Sequence, residues 1–77
     1  MDKVKQIVSE ALNTKVELLT DDTSLYDIDN WDSLNHMVLI TQIEEKFEIE
    51  LTNDEIIDMT TVKDIKKALA KRNINHL

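Results

Sequence analysis

One serine stands in a setting that could do chemistry. Ser33 follows Trp31 and Asp32 and precedes Leu34, at the start of a segment with helical apolar spacing. As a hydrolytic nucleophile it would need a base, and a third group to hold that base. His36 is three residues on. Yet Asp32, Ser33 and His36 bring no oxyanion hole, no glycine elbow and no pocket, so no catalytic residue is assigned. His36 is expected as a partly exposed helical residue beside the core face, and His76 as an inert tail residue. Ser33 reads better as an acceptor. In the first turn of a helix a serine is exposed, and a phosphate attached there meets free backbone N–H groups and the positive end of the dipole. Asp32 opposes this only modestly. The site suits a phosphodiester-linked group delivered by another enzyme.

Other chemistry is excluded by composition. The chain of 77 residues has no glycine, proline or cysteine. It therefore has no disulfide framework, cysteine zinc site or thiol nucleophile. Walker, Rossmann and EF-hand loops each need a glycine it lacks. The run Asp27 to Asp32 departs from a calcium loop at Trp31, Asp32 and Val38. No metal site is assigned. No apolar run approaches a membrane span, and Met1-Asp2-Lys3 opens no signal peptide, so the expected location is the cytoplasm.

The net charge is −7. Residues 21 to 60 hold twelve acids and one base, Lys46; the rest of the chain is net basic. This pattern is opposite to a nucleic-acid binder's basic stripe and steers toward basic protein partners. The composition alone allows an unmodified acidic helical adaptor, docking on a basic partner, as a second reading.

Four helices are needed to position Ser33. Val4, Ile7, Val8, Ala11 and Leu12 have amphipathic spacing, with Asp2 as cap and Asn13 as stop. Residues 14 to 30 predict a long ordered loop, anchored by Val16, Leu18, Leu19, Leu25 and Ile28, with one helical turn near Ser24 to Asp27. Asp32 caps a helix from Ser33 to about Phe47, and Trp31 before it is placed to act as a hydrophobic staple. Thr52 and Glu55 form a capping box for a short helix carrying Ile56, Ile57 and Met59. Thr61 and Asp64 open the last helix, with Val62, Ile65, Ala68 and Leu69 inward and its basic residues near the C-terminal end. Residues 73 to 77 are expected to fray. The fold class is all-α: a single domain over 1–77, three main helices plus one short one in an antiparallel bundle.

The Ser33 helix has two apolar faces. At about 100° per residue from Leu34, the residues Leu39, Ile43, Phe47, Ile40 and Met37 cover an arc from about 140° to 300°, the core side. Leu34 and Val38 fall on the opposite side, beside Thr41 and Glu45. A small apolar spot with an acidic rim fits a transient docking surface.

Asp32-Ser33-Leu34, the acidic loop before it, and the apolar helix ending Glu44-Glu45-Lys46-Phe47 resemble the acyl carrier protein family. So do Asp22-Thr23-Ser24-Leu25 and the step Thr60-Thr61-Val62. The resemblance covers nearly the whole chain. It implies that Ser33 carries a 4′-phosphopantetheine arm, attached from coenzyme A by a phosphopantetheinyl transferase that alone needs magnesium. The arm's thiol would hold acyl groups as thioesters. Asp32, Leu34, Val38, Thr41 and Glu45, with Ile56 nearby, would form the partner face toward acyl-activating, acyltransferase or synthase enzymes with basic docking surfaces. Leu39, Ile43, Phe47, Leu51, Met59 and Val62 would line the interior, which in fatty-acid carriers can open around an acyl chain. A monomer is implied.

The chain departs from the fatty-acid pattern. Asn30 replaces a glycine, and a left-handed turn is expected there, for which asparagine is the next-best residue. Asn35 and Val38 replace acids. The docking face becomes greasier, which resembles stand-alone bacterial carriers of specialised pathways, handling polyketide, modified-sugar or aminoacyl and peptidyl intermediates, rather than the housekeeping fatty-acid carrier.

Overall fold

Each helix starts where a short polar side chain can accept an orphan amide of the first turn. In the computed structural model, which describes residues 2–74, this happens four times. Asp2 accepts from the Lys5 amide at 3.0 Å and opens α1, Lys3–Ala11. Asp32 accepts from the Asn35 amide at 2.7 Å and opens α2, Ser33–Phe47. Thr52 and Glu55 make a reciprocal capping box for α3, Asn53–Asp58. Thr61 and Asp64 make another for α4, Val62–Ala70. The described residues form no strand, only an isolated antiparallel bridge between Ser24 and Thr61.

The helix ends share a second device. Asn13, Glu48 and Asn73 have positive φ, at 51°, 55° and 62°. Just beyond each, an amide reaches back five residues: Thr14 to Ser9, Ile49 to Glu44 and Ile74 to Leu69, at 2.9, 3.0 and 3.0 Å. These are the six-to-one bonds of left-handed helix terminators. Asn73 and Ile74 thus close α4, and Ile74 packs on the core. The fraying expected from residue 73 does not start there. Residues 75–77, with His76, lie outside the described residues.

α1 packs against both α2 and α4. Their apolar stripes meet in one core of Val4, Val8, Leu12, Leu39, Ile43, Val62, Ile65 and Leu69, all at most 1% exposed. The long loop contributes Leu19, Leu25 and Ile28 to it. Of the five expected loop anchors, Val16 and Leu18 are exposed. They belong to a 3-10 turn, Val16–Leu18. With three residues per turn, Val16 shares a side with Leu19 and reaches only the rim, while Leu18 points outward. The second 3-10 turn, Leu25–Asp27, matches the expected helical turn.

The loop is ordered because it borrows hydrogen bonds from the start of α4. The Leu25 amide donates to Thr60 O at 2.8 Å, the Val62 amide to Thr23 O at 3.2 Å, and the Lys63 amide to Asp21 O at 2.9 Å. Lys66 Nζ adds ion pairs to Asp2 and Asp21 at 2.6 and 2.7 Å.

α3 is tied down by a charge. The Arg72 guanidinium donates to both carboxylate oxygens of Glu55 and to Glu50 O. Arg72, and next the Thr52 amide, hold the Glu55 carboxyl down at about 2. A carboxyl depressed in the folded state contributes stability in full above its ordinary value near 4.5, and loses it as pH falls toward about 2. Arg72→Ala should destabilise the chain by on the order of 1 kcal/mol at neutral pH. It should also flatten the stability loss across that acid window, as read by urea unfolding at stepped pH.

Candidate functional site

Ser33 occupies the first position of α2, exposed to solvent. The Asp32 cap occupies the Asn35 amide, and the amides of Ser33 and Leu34 have no acceptor among the described residues. A hydroxyl beside two free amides at a helix N-terminus fits a phosphate ester attached there. No groups of three or more His, Cys, Asp or Glu capable of holding a metal occur among the described residues.

The loop that delivers Ser33 is fixed on both sides. Asn30 Nδ2 donates to Asn13 O at 2.6 Å, joining the loop to the end of α1. Asn35 Nδ2 donates to Asn30 O at 3.1 Å, joining it to the first turn of α2. The Trp31 amide donates to Ile28 O at 2.9 Å. Asn30 itself is not among the positive-φ residues, which corrects the expectation of a left-handed turn there. Asn30 acts through a side chain that bridges, not through a backbone that bends the other way.

Trp31 is half-buried against the core, and its indole N–H donates to His36 Nδ1 at 3.1 Å. The expected staple therefore exists, but its second partner is a histidine. The Tyr26 ring completes the cluster, 4.9 Å from Trp31 edge-on and 5.8 Å from His36 in a stacked arrangement. His36 is 9% exposed. This corrects its expected place beside the core face. The signal was available: at about 100° per residue His36 falls near 200°, the middle of the apolar arc. Because an indole N–H can only donate, Nδ1 must accept, and the neutral ring carries its proton on Nε2. Met37, assigned to the same arc at its edge, is 56% exposed instead.

The opposite side of α2 is open. Leu34 is 75% and Val38 38% exposed, and Asp32, Thr41 and Glu45 are exposed with them. On α3 the exposed isoleucine is Ile57; Ile56 is half-buried and packed on the core. Leu39, Ile43, Met59 and Val62 are fully buried, with Phe47 and Leu51 packed against them. The surface groove between α3 and α4 reaches only Met59 of this set.

Comparison with known proteins bears on what this surface does. The family described as "Phosphopantetheine attachment site" matches residues 2–69. The acyl carrier protein of Buchnera aphidicola from Schizaphis graminum is 39% identical over 61 residues, covering 79% of this chain and 77% of that one. The acyl carrier protein of Buchnera aphidicola from Acyrthosiphon pisum (strain Tuc7) is 33% identical over 73 residues, covering 95% and 91%. Among solved structures, the solution structure of holo acyl carrier protein from Geobacter metallireducens superposes with a TM-score of 0.72 at 32% identity, covering 96% of this chain and 90% of that one. A Mycobacterium tuberculosis chain assigned as an acyl carrier protein gives 0.78 at 26% identity, covering 90% and 92%.

The Trp31–His36 contact generates a pH prediction. Burial pushes the His36 imidazole below its ordinary value of 6.5. A base depressed in the folded state leaves stability complete above 6.5 and removes it as pH falls through the lowered value. Protonation also turns Nδ1 into a donor facing a donor. Stability should fall by about 1 kcal/mol across that window, accompanied by a change in emission from Trp31, the sole tryptophan. His36→Gln should show neither change.

Proposed function

We propose a role that starts from one fact: the chain belongs to the acyl carrier protein family, whose members bear a covalently attached 4′-phosphopantetheine. Ser33 is the residue that bears it here, and the chain is a non-catalytic carrier of acyl intermediates. The observation that carries this reading is the exposed Ser33 hydroxyl at the start of α2, beside two unengaged amides. When bound, the group supplies a thiol for thioester formation, which a chain without cysteine cannot supply itself. The chain's own residues present, orient and dock. Asp32 holds the first turn by its cap. Leu34, Val38, Thr41 and Glu45 form one exposed stripe down α2 from the attachment point. Ile57, being exposed, joins the partner face in place of Ile56.

Such a stripe suits a protein that must visit several enzymes and leave each. Two aliphatic side chains give a small desolvated centre, and the acids give a screened, long-range attraction to a basic partner surface. Tethering then raises the effective concentration of cargo at each partner. The exposed Val38 and Leu34, and the amide at Asn35, make the stripe more apolar than the fatty-acid pattern. This favours a carrier of polyketide, modified-sugar or aminoacyl intermediates over the housekeeping role. The buried Leu39, Ile43, Met59 and Val62 act as core in the resting chain; opening around a long acyl group would require these side chains to part.

The test of attachment is intact mass. Incubated with coenzyme A, magnesium and a broad-specificity phosphopantetheinyl transferase, the apo chain should gain one phosphopantetheine, and Ser33→Ala none. A chain that gains nothing in either form is the acidic adaptor instead. The docking stripe has its own test in binding to that transferase. Glu45→Gln should weaken it at low salt and much less at high salt. Leu34→Ala should weaken it at both, because desolvation of an apolar contact is not screened.

A further inference from the structure

Ser33 inherits its position. Its hydroxyl has no hydrogen-bond partner among the described residues, so nothing on Ser33 itself fixes where the oxygen lies. The backbone on either side must do so. Two residues before it stands Trp31, and three residues after it, one turn down α2, stands His36. The 3.1 Å bond between their side chains closes a ring around Ser33. Inside that ring the Asp32 cap to the Asn35 amide forms a smaller one.

We infer that Trp31 and His36 are a positioning pair: their hydrogen bond locks the incoming loop to the first turn of α2, so that the Ser33 hydroxyl is offered to the modifying enzyme in one orientation. The inference rests on the reading of Ser33 as the attachment residue. Packing alone does not supply this. A phenyl ring at position 31 could still meet Tyr26, but the indole N–H directed at a buried acceptor selects one rotation of the ring. The acceptor is correspondingly well placed, since His36 is held by its own amide bond to Asp32 O at 2.9 Å and by the Tyr26 stack. Asn35 and Asn30 hold the backbone from the other side. Without the Trp31 bond the Asp32 cap persists, but the loop can pivot about it.

The pivot matters because of the step it precedes. Ser33 Oγ forms a new bond to the phosphorus that bears pantetheine. The bond from that phosphorus to the bridging oxygen of coenzyme A's pyrophosphate breaks, adenosine 3′,5′-bisphosphate leaves carrying that oxygen, and the seryl proton passes to a base of the transferase. Attack in line tolerates little misplacement, and losing one positioning contact is felt in the rate.

The full chain, with coenzyme A, magnesium and a broad-specificity phosphopantetheinyl transferase, tests this. Trp31→Phe keeps a ring and removes the donor. His36→Leu keeps the volume and removes the acceptor. His36→Gln restores an acceptor. Each of the first two should lower kcat/KM for modification by about fivefold, the factor to which one net hydrogen bond of about 1 kcal/mol corresponds. Combining them should be no worse than either alone, because both break the same contact. His36→Gln should stay within about twofold of the unaltered chain. Amide exchange should quicken at residues 31 and 36, whose amides are hydrogen-bonded to Ile28 O and Asp32 O, and stay unchanged in α1 and α4. Equal kcat/KM in all variants overturns the inference. So does a loss that follows faster exchange throughout the core, since that is a stability effect. An unaltered chain that is not modified, or is modified away from Ser33, overturns the attachment reading and this inference with it. Normal modification of the unaltered chain with indifferent variants overturns the positioning pair alone.

Discussion

Everything in this structure depends on how the chain between α1 and α2 is tied down. It must cross from the end of one helix to the start of the next over 21 residues, 12 to 32, and it must deliver a serine at a defined place. A free segment of that length would lose on the order of 1–2 kcal/mol per residue in backbone entropy on ordering. Three kinds of contact offset this. Leu19, Leu25 and Ile28 bury apolar area in the common core. The backbone near residues 21 to 25 exchanges hydrogen bonds with the start of α4. The last residues are clasped to α2 by Asn30, Trp31 and Asp32. The first two make the loop part of the domain. Only the third reaches Ser33.

The absence of glycine shapes how this is done. A chain with glycines would use them where it must enter left-handed backbone, and this chain uses Asn13, Glu48 and Asn73. Each carries a Cβ penalty that glycine avoids, and each is repaid locally by a helix-terminating bond. At Asn30 the chain takes a different course and avoids left-handed backbone altogether. The side chain of Asn30 spans to Asn13 O, and its backbone carbonyl accepts from Asn35 Nδ2. Asn35 Nδ2 supplies that donor, which a carboxylate at the same position could not.

Most of the fold was legible because it is written in local chemistry. The four caps, the bounds of α2 and the inward set of α4 follow from side chains that can reach their own first turn or from 3.6-residue spacing. What was not legible depended on contacts between distant segments. Nothing local distinguishes Leu18 from Leu19; the core decides by being on one side. Nothing local says that Thr23 and Asp21 will receive amides from α4. The staple was legible as a position and illegible as a partnership, because an apolar ring at Trp31 does not announce a polar partner and His36 is expected only beside the core face, partly exposed. At about 100° per residue His36 lies within the apolar arc of α2, where an unpaired imidazole would be costly to bury. The indole N–H removes that cost by satisfying the imidazole.

The site follows the same division. Ser33 was readable as an exposed residue at a helix start, since the Asp32 cap and the apolar spacing imply both. The outer stripe of α2 was readable from the same spacing, and Leu34 and Val38 lie exposed along it. The two sides of α2 then do opposed work. Its inner side is constrained to one packed arrangement by Leu39, Ile40 and Ile43 and by the histidine clasp. Its outer side leaves aliphatic surface in water, which adds nothing to the folded state of the isolated chain. A rigid inner side is what allows the outer side to stay uncommitted. With the first turn fixed from behind, the exposed stripe and Ser33 keep one relation to each other.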